Sequence, residues 1–144
     1  MKVVLDANIL VSAAISRGAS HRIVQSWMAD ANFEVVICPQ LLDEVRDVLT
    51  RRPRLRRFID IAVANDFIGT VEALADCASD PSPESIETTT RDRDDDYLVA
   101  LARLHNADLI VTGDRDLLEW EDQHPAVVTP ADFERILRGN TQLP

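Results

Sequence analysis

MKVVLDANIL, Met1 to Leu10, decides how the rest of the chain is read. Val3, Val4 and Leu5 form an unbroken apolar run, the pattern of a strand buried on both faces. The run stops at Asp6, which places a carboxylate at a strand's C-terminal end. In an open α/β sheet that edge is where ligands bind. A second reading stands beside it: Asp6 or Asn8 could cap a helix running through Ile9, Leu10 and Ala13 to about Ser16.

Working outward, the same device returns late in the chain. Leu109, Ile110 and Val111 make another fully apolar strand, closed by Thr112, Gly113, Asp114 and Asp116. Phe33 to Cys38 is a third, β-branched run, and Pro39 ends it and opens a helix to about Thr50 with Leu41, Leu42, Val45, Val48 and Leu49 inward. Helical spacing also fits Ser20 to about Ala31, with Ser20 as its cap. From Phe58 to Ala75 the pattern is helical, with Gly69 as a joint between two helices. Asp76 to Arg93 reads as a surface loop with a short strand near Ile86 to Thr89. A helix follows through Leu98, Leu101, Ala102 and His105, with Asn106 as a left-handed cap. Leu117, Leu118 and Trp120 suggest a short helix, Val127 and Val128 an edge strand, and Pro130 to Leu137 a last amphipathic helix. Strands alternating with helices predict a three-layer α/β/α fold around a mainly parallel sheet of four to five strands, as one domain over residues 1–144.

Composition limits the partners. The 144 residues are 46% hydrophobic and 28% charged, ordinary for a globular protein. No segment has the apolar length of a membrane span, and the N-terminal run meets Asp6 too soon for a signal peptide, so the expected location is cytoplasmic. Cys38 and Cys77 lack zinc-site spacing and read as small core hydrophobes. A net charge of -10 argues against a polyanionic partner at large, but one run does not. RRPRLRR, Arg51 to Arg57, concentrates positive charge in Arg51, Arg52, Arg54, Arg56 and Arg57. These arginines could serve the end of the preceding helix or grip phosphates.

The parallel topology lets Asp6 and Asp114 end strands at one sheet edge. Glu44, beside the apolar stripe of its helix, and the cluster Asp92, Asp94, Asp95 and Asp96 stand at helix starts near that edge. Two carboxylates about 4 Å apart repel by about 4 kcal/mol at an effective dielectric near 20, so such a group needs protons or a cation. A hard divalent ion that prefers oxygen ligands answers this need. No serine or cysteine nucleophile is signalled, His21, His105 and His124 are scattered, and no glycine-rich phosphate loop occurs.

LDANIL at Leu5 to Leu10, the Glu of PQLLDEVRDVL, RDRDDDYLVALA at Arg91 to Ala102 and VTGDRDLL at Val111 to Leu118 together resemble the PIN-domain nuclease family, in particular toxins of toxin–antitoxin pairs of the VapC type. The resemblance covers nearly the whole chain, including the closing VVTPADFERIL. It implies Asp6, Glu44, Asp95 and Asp114 as catalytic acids and metal ligands. Asp95 is chosen by counting back eleven positions from Asn106, which stands where family members carry Gly. Asp96 is the reserve and Asp116 an assistant ligand. Asn8 and Thr112 are implied as supporting polar residues, and the arginine run as an RNA-backbone contact. The cofactor implied is Mg²⁺ or Mn²⁺, the substrate RNA, and the partners an antitoxin protein and a second copy in a homodimer. Two other readings are weighed. One is a non-catalytic RNA- or protein-binding module. The other is a phosphoryl-transfer or receiver domain with a nucleophilic Asp6, which lacks a second Asp at position 8 and any lysine in the later half of the chain.

Overall fold

Strand β1 (Lys2–Leu5) lies at the centre because its Val3, Val4 and Leu5 have no solvent-facing side. It pairs in parallel with β2 (Glu34–Ile37) on one side and β4 (Leu109–Val111) on the other. Beyond β2 lies β3 (Asp76–Cys77), and beyond β4 lies β5 (Ala126–Val128), giving a five-stranded parallel sheet of order β3-β2-β1-β4-β5. The computed structural model describes residues 1–87, 90, 93–139 and 143–144, with Arg93 described by its backbone alone.

Helices α1 (Ala7–Ile15), α2 (Ala19–Asp30), α3 (Pro39–Arg51), α4 (Ile61–Leu74) and α7 (Pro130–Leu137) form one linked layer, in which α1 packs on α2 and α3, α3 on α4, and α2 on α7. Helix α5 (Arg93–Leu104) packs on β1 and β4. The right-handed crossover from β3 to β4 carries it to the opposite face, completing three layers. A short α6 (Arg115–Leu118) joins β4 to β5. Phe33 and Phe133, with centroids 5.0 Å apart and rings at 83°, lock the α7 side of the core edge to face. Among the described residues no helix is long and apolar enough to cross a membrane.

Several expectations change. Helix α2 starts behind Gly18, so Ser20 lies inside it and is buried rather than capping. Helix α4 runs unbroken through Gly69, because buried Ala64, Ile68 and Val71 hold its face to the core and outweigh the ~1 kcal/mol cost of a helical glycine. The expected loop from Asp76 holds strand β3, and Cys77 on it is exposed, unlike buried Cys38. Ile86 and Glu87 are not in a strand, and Thr88 and Thr89 lie outside the described residues. Asn106 does adopt the left-handed conformation, with φ 54°.

Candidate active site

The strand order fixes where a site can form. The chain leaves β1 toward β2 on one side and returns to β4 on the other, so a crevice opens between the C-terminal ends of β1 and β4. Asp6 follows one strand and Asp114 stands three residues after the other. Asp6 continues the ladder, its amide donating to the Val111 carbonyl at 3.0 Å, while its own carbonyl accepts from Ile9 and Leu10 and starts α1. Its carboxylate does not close a cap: the Asn8 and Ala7 amides face it and favour its charged form, but it makes no capping hydrogen bond. Asp6 thus occupies the N-cap position by its backbone alone, and Asn8 falls within α1. It is Asp114 that caps a helix, Oδ1 accepting the Asp116 amide at 2.9 Å.

Thr112 ties the two strand ends together. Fully buried, it donates from Oγ1 to Asp6 Oδ2 at 2.7 Å and accepts from the Asp114 amide at 3.0 Å. One hydroxyl thus orients one acid and the backbone of another.

Asp6, Asn8, Glu44, Asp94, Asp95, Tyr97 and Asp114 line a common cavity of about 200 Å³, together with Ala7 and Leu98. Four elements feed it: the β1–α1 junction, α3, the start of α5 and the β4–α6 turn. Burial raises the Asp6 pKa above the ordinary carboxylate value, against the lowering effect of Thr112, and Asp114 raises it further. Burial also raises Glu44. There the Tyr97 hydroxyl stands beside the carboxylate and favours its charge, while Asp6 and Asp94 oppose it. Burial, then the nearby Glu44 charge, pushes the Tyr97 phenol far up, so it stays protonated as a donor. Asp6 thus feels Asp114, and Glu44 feels Asp6 and Asp94, across the cavity.

The cavity takes in Asp94 and Tyr97, which the sequence reading did not assign. Asp94 was one of four competing acids. Tyr97 carried no assignment, and its position two residues beyond Asp95 at the head of α5 was the available signal. Asp96 is placed elsewhere: one position on from Asp95 is about 100° around the helix. It is buried, accepts from the Thr90 amide (3.0 Å) and hydroxyl (2.7 Å), and lines a separate cavity with Glu87 and Arg103. Asp116 is half-buried beside Asp114 and does not line the acidic cavity. Asp92 lies outside the described residues.

The arginine run is divided. Arg51 and Arg52 share Asp47 at 3.7 Å each, and Arg56 donates to the Leu49 carbonyl, closing the end of α3. Arg54 and Arg57 are exposed.

The donor set is all oxygen, without thiol or imidazole, which suits a hard divalent cation. Among the described residues no group of three or more acidic, imidazole or thiol side chains stands at the spacing that holds a metal ion.

The fold has solved relatives. A crystal structure of PAE2754 from Pyrobaculum aerophilum superposes with a TM-score of 0.69, covering 96% of this chain and 90% of that one at 18% identity. That likeness speaks for the fold. No curated protein matches the chain. PIN domains are generally nucleases and typically use divalent metals. Residues 2–116, from β1 into α6, match the family model described as PIN domain, and the chain belongs to the PIN domain family.

Proposed function

We propose that this PIN-domain protein is a metal-dependent endoribonuclease, hydrolysing RNA phosphodiester bonds as the toxin of a toxin–antitoxin pair. The observation that carries the nuclease reading is the acidic cavity at the β1/β4 crevice, where Asp6, Glu44, Asp95 and Asp114 arrive from four elements. These four would hold Mg²⁺ or Mn²⁺, with Asp94 at the rim. Such an ion, when bound, lowers the pKa of a coordinated water and offsets negative charge on a phosphate. The protein's own part is to keep the acids ionised and oriented. Thr112 holds Asp6 through its hydroxyl, and the Tyr97 phenol favours the charged form of Glu44. The toxin role rests on resemblance, as do an antitoxin partner, a homodimer and a cytoplasmic location.

The test compares wild type and Asp6→Asn on total cellular RNA with Mn²⁺, Mg²⁺ or EDTA. Cleavage by wild type alone, abolished by EDTA, is the expected result. Cleavage by both proteins, or cleavage insensitive to EDTA, would refute it. Calorimetry showing no Mg²⁺ or Mn²⁺ binding would favour a binding module instead.

A further inference from the structure

Five of the chain's 15 lysines and arginines fall within Arg51–Arg57, in a protein of net charge -10. The fold spends three of the five: Arg56 on the end of α3, Arg51 and Arg52 on Asp47. The remaining pair, Arg54 and Arg57, lies on the 3₁₀ turn Pro53–Arg57. A 3₁₀ helix has three residues per turn, so side chains three apart stand one above the other on one side. Both are exposed and enter no ion pair among the described residues. Directly after them, Phe58 is 62% exposed and Ile61 44% exposed, while the turn is anchored beneath by buried Leu55.

We propose that Arg54, Arg57 and Phe58 form a landing site for single-stranded RNA, with an unpaired base stacked on the Phe58 ring and flanking phosphates on the two guanidinium groups. This rests on the ribonuclease reading above and adds the surface that would hold the strand. An exposed aromatic ring beside cations is the recurrent device for holding single strands, because every base has a face to stack. Duplex bases are already stacked, and so are denied to the ring.

Charge decides against the other occupants. A second copy meeting this face would bring its own arginine run against this one. An anionic membrane is broad and would meet the field of the whole acidic chain. A single strand is thin, and screening within about 10 Å at 0.1 M salt lets it respond to the local positive patch. The patch follows the helix that carries one of the cavity's acids: Glu44 and Arg51, the last residue of α3, are seven residues or about 10 Å apart along the axis, and the turn with Arg54 and Arg57 comes next. That axial distance spans about three phosphates of a strand stacked at 3.4 Å per step.

The experiment measures binding by the full chain carrying Asp6→Asn, so that the strand survives. A labelled single-stranded RNA 12-mer and a duplex of the same sequence are titrated by fluorescence anisotropy at several salt concentrations. Phe58→Ala is expected to weaken single-strand binding about fivefold or more, and Phe58→Trp to retain it. Arg54→Gln with Arg57→Gln is expected to flatten the log K against log salt slope by about 1.4. Arg17→Gln, an exposed charge between α1 and α2, controls for loss of any one cation. Because Phe58 is exposed, folding of the variants is checked simply by circular dichroism. Unchanged binding by Phe58→Ala, or a duplex bound as tightly as the single strand, would overturn the proposal. So would anionic-vesicle binding or dimerisation that Phe58→Ala abolishes. Cleavage by the Asp6-containing protein is assayed in parallel. If it cleaves RNA but Phe58→Ala binds normally, this proposal alone fails; if the 12-mer binds as predicted without any cleavage, the nuclease reading alone fails.

Discussion

Thr112→Val isolates the hydroxyl that joins the two strand-end acids. Valine keeps nearly the same shape in a fully buried position, so the change removes two hydrogen bonds with little loss of packing. A bond to an ionised carboxylate is worth about 1.5–3 kcal/mol, and the half-buried Asp114 amide loses about 1 kcal/mol more. The expected destabilisation is about 3 kcal/mol at pH 7.5, a large part of the ~5–15 kcal/mol that a domain has. The effect has a pH signature. Thr112 lowers the Asp6 pKa, so its removal lifts a folded-state value that burial has already raised. A carboxyl raised in the folded state releases its proton first in the unfolded chain. Its cost is therefore absent in acid and grows as pH rises through the folded pKa. The deficit of Thr112→Val should be largest at neutral pH and narrow in acid, as Asp6 takes up its proton. In an Asp6→Asn background the amide oxygen still accepts the bond, now between neutral groups, and the deficit should shrink by about 1 kcal/mol or more. Urea unfolding in EDTA, followed by circular dichroism, measures all four corners of the cycle, with Thr112→Ser as the control that keeps the hydroxyl. Equal losses in both backgrounds, or a loss below about 0.5 kcal/mol, would refute the role given to Thr112.

Asp6→Asn and Glu44→Gln should each raise metal-free stability at neutral pH, because both acids have raised folded pKa values, and the gain should vanish in acid. Adding Mn²⁺ should then raise the Tm of wild type more than that of either variant, and an equal rise in thermal shift would count against a shared site. Asp80→Ala removes the carboxylate whose Oδ1 accepts the Gln40 amide at 2.8 Å at the start of α3, and should cost about 1 kcal/mol in denaturant unfolding. In the native protein, exposed Cys77 should react promptly with a thiol reagent, whereas Cys38, buried and with its pKa pushed up to about 11, should react only on unfolding.

The parts of this structure that could be read from sequence are those where composition and period coincide. Val3–Leu5 and Leu109–Val111 announce buried strands because no polar residue interrupts them, and an acid beyond each is then forced to one edge. Glu44 was legible through the helical stripe around it. Strand β3 was not, because two residues reading Asp-Cys carry no pattern of their own and are held by register with Val36 and Ile37. Cys77 was misread for the same cause: an edge strand leaves its side chains in solvent. Gly69 was read by its local cost alone, while the buried face of α4 decides the outcome. Asp95 and Asp96 differ by one step of rotation, which neither composition nor charge reveals; the helix phase against β1 and β4 separates them. Tyr97 showed its apolar character in sequence, and only its neighbour Glu44 in space gives its hydroxyl a use.

The way Asp6 is built into the sheet bears on how the site can adapt. Its amide and that of Thr112 extend the ladders of β1 and β4 beyond the strands, to Val111 and Val128. Hydrogen exchange at these two amides should therefore require opening of the sheet itself, the slowest fluctuation a domain makes. Asp94 and Asp95 reach the same cavity from the first turn of α5, an element outside the ladder. The cavity thus has one jaw stitched into the sheet and one carried by a helix, and a shift of α5 against β1 and β4 would change its width without breaking a strand.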